Sequence, residues 1–297
     1  MESKPRSRRF LPPLRSTLLW MLALAITLGC LRYQDKTGPT YPLEGVLPTG
    51  AGPVRYKFMR SETIGRDLAI VLQDPVPEGI RGTVTYRRYR SHDAWSTNPM
   101  QRGSFESARR GRIETIRGEG VLLPSLRERA GKYEYYVHVD DGAGNPRSVT
   151  GTRPIIARYK GPVPTGVLAF HILAVFASMW LAIRTVLEAA ARGRYHGLLW
   201  ATIASLFAGG FVLGPLVQWY AFGVLWSGIP FGFDWTDNKV LVGLGAWIVA
   251  LLKNRRGPNR RWVYLAGVVT LCVYFIPHSI FGSEFDYRTG TGRGTTG

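Results

Sequence analysis

The sequence predicts a membrane α-helical bundle of about five transmembrane helices with an inserted extracytoplasmic all-β sandwich. Three observations lead there. Long charge-free runs alternate with Lys/Arg clusters, the stretch between the first two runs has strand rather than helix periodicity, and most of the 38 Lys/Arg set against 20 Asp/Glu flank those runs or lie in that stretch. The mean hydropathy of −0.03 averages two unlike parts and conceals both. A net charge of +18 distributed in this way requires no nucleic-acid partner.

Residues 1–15 are basic and read as a cytoplasmic N-terminus. Residues 16–31, between Arg15 and Arg32, read as a signal anchor and first span. Lys4, Arg6, Arg8 and Arg9 before Leu18–Leu28 also describe a secretory signal peptide, with Ala23-Leu-Ala25 as its cleavage site. Thr27-Leu-Gly-Cys30 approaches a lipid-attachment motif, with Thr27 where an aliphatic residue is usual. All three readings put residue 32 onward outside the cytoplasm.

Residues 32–53, rich in Gly and Pro between Thr37 and Pro53, read as a linker. Further spans are expected at 161–183, 197–219, 239–254 and 262–281, since a bilayer core takes about 20 apolar residues of helix. An interfacial aromatic loop is expected at 220–238 and a flexible Gly/Thr-rich tail at 282–297. The 239–254 span is short: Val240–Leu252 crosses only if the helix extends to about Trp235–Asn254, with Lys239 and Lys253 snorkelling to opposite interfaces. With the N-terminus inside, the inner short segments hold 13 Lys/Arg and the outer ones three. That asymmetry follows the positive-inside rule and puts residues 32–160 and the C-terminus outside a plasma (inner) membrane.

Over residues 54–160 the period is two. Leu68, Ile70 and Leu72 share one face of a strand ended by Asp74-Pro75, Thr83–Tyr89 forms a second, and Tyr133, Tyr135, Val137 and Val139 alternate with outward residues over Lys132–Asp140. Asp141–Asn145 turns the chain into Arg153–Tyr159. Leu126…Ala130-Gly-Lys-Tyr133-Glu-Tyr135-Tyr-Val137 resembles the late-strand region of immunoglobulin-like and fibronectin type III-like domains, where a tyrosine corner pins the strand. The resemblance covers this third of the chain and implies a β-sandwich; the absence of Cys from the segment fits the fibronectin-like variant.

Three residue sets are candidates for chemistry. His171 and His278, at matching depth near the outer ends of two spans, have the placement of a bis-His b-type haem site. Asp234, Asp237, His278, Glu284 and Asp286 fall on the outer side in this topology and would suit a divalent metal. Arg87, Arg88 and Arg90 with Arg109, Arg110 and Arg112 concentrate charge beside aromatics, as a polyanion contact does. Gly210…Gly214, Ala246…Ala250 and the stripe His171, Ala174, Ser178, Thr185 read as helix-packing chemistry. No Gly-x-Ser-x-Gly, His-Glu-x-x-His, Walker-type loop or Cys-x-x-Cys occurs. The favoured reading is a non-enzymatic envelope protein, anchored in the lipid bilayer, whose sandwich contacts other membrane or envelope proteins or polymers. The alternatives are a redox or metal-binding membrane subunit and a membrane enzyme acting on envelope lipid or polymer.

Overall fold

Alternating apolar residues and charge-free runs produce a mixed architecture of mostly antiparallel sheets and apolar helices. The computed structural model describes residues 13–109, 112–140, 147–277 and 282–293. It separates into a helical unit (the chain through Asp35, Phe170–Leu213 and Lys239–Ile276) and a strand-bearing unit (Lys36–Ala169, Gly214–Asn238 and Pro277 onward).

The strands are β1 (Leu43–Thr49), β2 (Gly52–Phe58), β3 (Ser61–Thr63), β4 (Leu68–Gln73), β5 (Arg81–Arg88), β6 (Ser96–Pro99), β7 (Gln101–Arg109), β8 (Arg112–Leu123), β9 (Lys132–Asp140), β10 (Arg147–Ser148), β11 (Ile155–Lys160), β12 (Glu284–Asp286) and β13 (Thr291–Arg293). One sheet has the order β1-β2-β4-β8-β7. The other runs β3-β11-β9-β5-β6, with β10 on β9 and only β3-β11 parallel. Val54, Phe58, Leu68, Ile70, Leu72 and Leu123 of the first sheet share one core with Val84, Tyr135, Val137, Ala157 and Tyr159 of the second, so the two sheets pack against each other. The buried tyrosines satisfy their hydroxyls on backbone: Tyr133 donates to the Pro124 carbonyl at 3.0 Å and Tyr135 to that of Met59 at 2.9 Å.

Two stretches differ from expectation. The second half of the expected linker is β1, antiparallel to β2 from Leu43↔Phe58 to Thr49↔Gly52. Leu43 and Val46 are exposed while Leu47 packs against the core, so the strand is held by pairing and one contact without leaving a hydrophobic period. A Cβ on Gly45 would collide with the Tyr56 ring, which lies against its bare backbone. The expected flexible tail is ordered over 282–293 as the β12–β13 hairpin, anchored by Phe285, whose N–H donates to the Ala130 carbonyl at 3.2 Å.

The helices are α1 (Pro13–Thr37), α2 (Thr165–Ala190), α3 (His196–Phe207), continued through a π-helical turn (Ala208–Leu213) into α4 (Gly214–Phe222), then α5 (Trp235–Lys253) and α6 (Arg260–Phe275). By length and composition, Leu14–Thr37, Thr165–Ala190, His196–Phe222 and Trp235–Lys253 can each cross a membrane. The short segment reaches the extent it needed: α5 runs from Trp235 to Lys253, and the Asp234 carboxylate caps its start by accepting the Thr236 N–H at 2.7 Å. The segment expected over 262–281 ends at Phe275 after 16 residues, because Pro277 forces Ile276 into extended backbone. Carbonyls at that end are taken by side chains: Gln34 donates to those of Tyr274 and Ile276, and Lys239 to that of Ile276 at 3.0 Å.

Within the helical unit the small-residue stripe meets α3. Thr185 and Thr202 exchange a hydroxyl bond at 3.1 Å, and Ser205 donates to the Ala174 carbonyl at 3.0 Å. Gly209 and Gly210 face different neighbours: a Cβ on Gly209 would crowd Val175 of α2, and one on Gly210 would clash with Val240 of α5. Because α2 runs on to Ala190, Arg184 and Glu188 lie on a helix rather than in a connection. They form a buried ion pair at 2.5 Å, with Arg184 5.2 Å from the Trp20 ring.

Candidate functional site

On β9 and β11 the inward positions are Tyr133, Tyr135, Ala157 and Tyr159, so Lys132, Glu134 and Arg158 fall on the opposite face of the sheet. The register sets Arg158 beside Lys132. Such a face is ordinarily wet. Here Lys132, Glu134 and Arg158 are only 7%, 8% and 9% exposed. The cover includes the tail hairpin, with Phe285 6% exposed, and α4, whose Phe222 ring lies 5.9 Å from the Arg158 guanidinium.

Beneath this cover is a cleft of about 720 Å³, lined by Arg60, Arg90, Lys132, Arg158, Glu284 and Asp286 among other residues. Arg60 enters from the β2–β3 corner, where its carbonyl accepts the Arg158 N–H at 3.0 Å. Arg90 follows β5 in the left-handed conformation, φ 53°. Glu284 is the shared counter-ion: Arg90 meets it at 2.6 Å, and the Lys132 ammonium donates to its other oxygen. Asp286 is held by Arg288 at 2.6 Å, which draws its carboxyl down to about 2.

The cations have lost solvent without gaining equal compensation. Burial, helped by the neighbouring Arg158, lowers the Lys132 ammonium to about 8. Burial also pulls Arg158 below the ordinary guanidinium range, against the opposing pull of Asp234 and Glu284. Arg60 is lowered by burial too, and its buried Nε has no hydrogen-bond partner among the described residues. A desolvated set of guanidinium and ammonium groups around an open volume is arranged to take oxyanions.

The residues singled out by sequence fare differently. Arg87 pairs with Glu134 at 2.6 Å and stacks on Trp95 at 4.4 Å, while Arg88 grips Asp93 through two bonds of 2.6 and 2.8 Å. Only Arg90 reaches the cleft. Arg109 and Arg112 are register partners at the end of the β7–β8 pair, on the other sheet from Arg87 and Arg88; Arg110 lies outside the described residues. The Asp237 carboxylate accepts the N–H groups of Ser227 (2.7 Å) and Gly228 (3.0 Å), tying down the aromatic loop, and Asp234 is the α5 cap.

The charges of Asp234 and Glu284 both favour the Arg158 guanidinium. Among the described residues no three His, Cys, Asp or Glu side chains converge to hold a metal ion. The His171 Nδ1 meets the Gly209 carbonyl at 3.0 Å. That nitrogen therefore carries the proton, and a haem iron would have to bind through Nε2. Its expected partner, His278, lies outside the described residues.

Sequence reasoning missed Arg60, Lys132 and Arg158. Their one signal was position, since β-alternation put Lys132 and Arg158 on the same outward face. No family model, curated protein or solved structure matches the chain.

Proposed function

We propose that the chain is an integral protein of a bacterial inner membrane, with its N-terminus in the cytoplasm. Five crossings hold an immunoglobulin/fibronectin type III-like sandwich outside as a non-enzymatic binding module for other envelope components. Strand order supports the sandwich assignment: β1-β2-β4-β8-β7 shares a core with β3-β11-β9-β5-β6, and β3 runs parallel to β11 at the edge of the second sheet. The Tyr133 hydroxyl, bonded back to the Pro124 carbonyl at the start of β9, is a further support.

One observation carries the topology. Glu284 and Phe285 contact Lys132 and Ala130, so the tail and the β module share a side of any membrane the helices cross. The chain between Lys160 and Glu284 therefore crosses an even number of times. Three long apolar helices lie in that interval, and this reading takes α6 as the fourth crossing. At 16 residues it reaches about 24 Å and draws the bilayer slightly thinner. The positive-inside asymmetry points the same way without depending on the hairpin.

Fusions of a reporter active only outside the cytoplasm, placed after Gly297 and separately after Gly257, test this reading. The first is expected to be active and the second silent. A cytosolic C-terminus overturns it.

A further inference from the structure

We propose that the cleft on the outer face of the β3-β11-β9-β5-β6 sheet binds a phosphate-type dianion, with Arg60, Arg90, Lys132 and Arg158 as its counter-charges and Glu284 as the internal carboxylate it displaces. The charge count sets the class. Four cations and the carboxylates of Glu284 and Asp286 line the space, leaving an excess of two positive charges with Glu284 in place and three once it is displaced. Adding the next neighbours, Arg288 beside Asp286 and Asp234 beside Arg158, leaves that excess unchanged. A phosphate monoester carries about −1.5 to −2 at pH 7.

Geometry agrees with charge. Guanidinium forks match phosphate oxygens two at a time, and the volume falls within the range of about 300–1,000 Å³ typical of small-ligand sites. Arg60 Nε is a buried donor with no partner among the described residues, a cost that a bound oxyanion would remove. Glu284 already shows the position, since one carboxylate there engages Arg90 and Lys132 together. It arrives on a three-residue strand and so can be exchanged more readily than a core residue.

This deepens the binding-module reading and rests on it for its biological setting, while the two fail separately: reporter fusions read the topology and anion titration reads the cleft. The test uses the full chain in nanodiscs of phosphatidylcholine alone and, in a second arm, of phosphatidylcholine with phosphatidic acid. Inorganic phosphate is titrated against chloride at constant ionic strength while the melting temperature is followed. In the neutral discs phosphate raises it saturably and chloride does not. Arg60→Gln and Arg90→Gln each raise the half-saturating concentration about tenfold, and Glu284→Gln lowers it by a similar factor, equivalent to about 1.4 kcal/mol either way.

If phosphate still shifts the protein in phosphatidic acid discs, the ligand is soluble; if the lipid abolishes the shift, it is a headgroup; both outcomes support the site. Equal effects of phosphate and chloride, or a phosphate shift unchanged in Arg90→Gln, overturn it. Arg90 has a half-exposed side chain, so its substitution keeps the test decisive if Arg60→Gln fails to fold.

Discussion

Replacing Phe285 with Ala isolates the contact that closes the cleft. The ring is 6% exposed and packs edge-on against Tyr287, with centroids 4.9 Å apart. Deep core Phe→Ala changes cost about 3–5 kcal/mol, and a short docked hairpin can partly collapse around the loss, so about 2–3 kcal/mol is expected. The loss falls on docking rather than on global unfolding, because the two-sheet core does not include Phe285. By the factor of ten per 1.4 kcal/mol, the undocked fraction rises roughly 30- to 150-fold. Two readouts follow. Lys132, 7% exposed under the hairpin, becomes acetylated at neutral pH, and trypsin cuts faster after Arg288. Phe231→Ala, at a ring 82% exposed, changes neither and serves as the control. Unaltered Lys132 reactivity together with unaltered cleavage in Phe285→Ala would refute the claim that this ring holds the cover.

Two further outcomes are expected. Lys132 titrates at about 8 when folded against 10.5 when free, so below pH 8 its buried charge costs about 3 kcal/mol. From pH 8 to 10 the folded state sheds this proton first, the unfolded chain binds more, and stability rises; above pH 10 it falls again because burial raises Tyr133 to about 12. A melting temperature no higher at pH 9.5 than at 7.5, or a rise that survives in Lys132→Met, would contradict this. In the helical unit, Gly210→Leu drives a side chain into Val240 and lowers stability by about 1–3 kcal/mol, measured as a lower melting temperature in detergent; an unchanged value refutes the close approach of the π-helical turn to α5.

The features legible in the sequence are those whose cause is local. Charge-free runs give the long helices because a bilayer-length run needs no distant partner to be recognised. The helix ends were legible in the same sense: Asp234 ahead of Trp235 is a cap, and Pro277 is a stop inside the run expected to reach 281. The central strands followed from alternation, since Leu68, Ile70 and Leu72 fill a core. Edge strand β1 did not, because Leu43 and Val46 stay exposed and a single Leu47 against the core makes no period. The cleft was hidden for a stronger reason. Alternation states which way Lys132 and Arg158 point, and a charged outward residue normally means solvent. Whether that face is covered depends on Glu284, 152 positions along the chain, on a strand too short to have a period at all. Buried cations on an outward strand face therefore mark the place where a distant segment closes over a sheet, and a search that begins with strongly charged outward positions and asks what lies on them would have reached Lys132 and Arg158 before the tempting histidines.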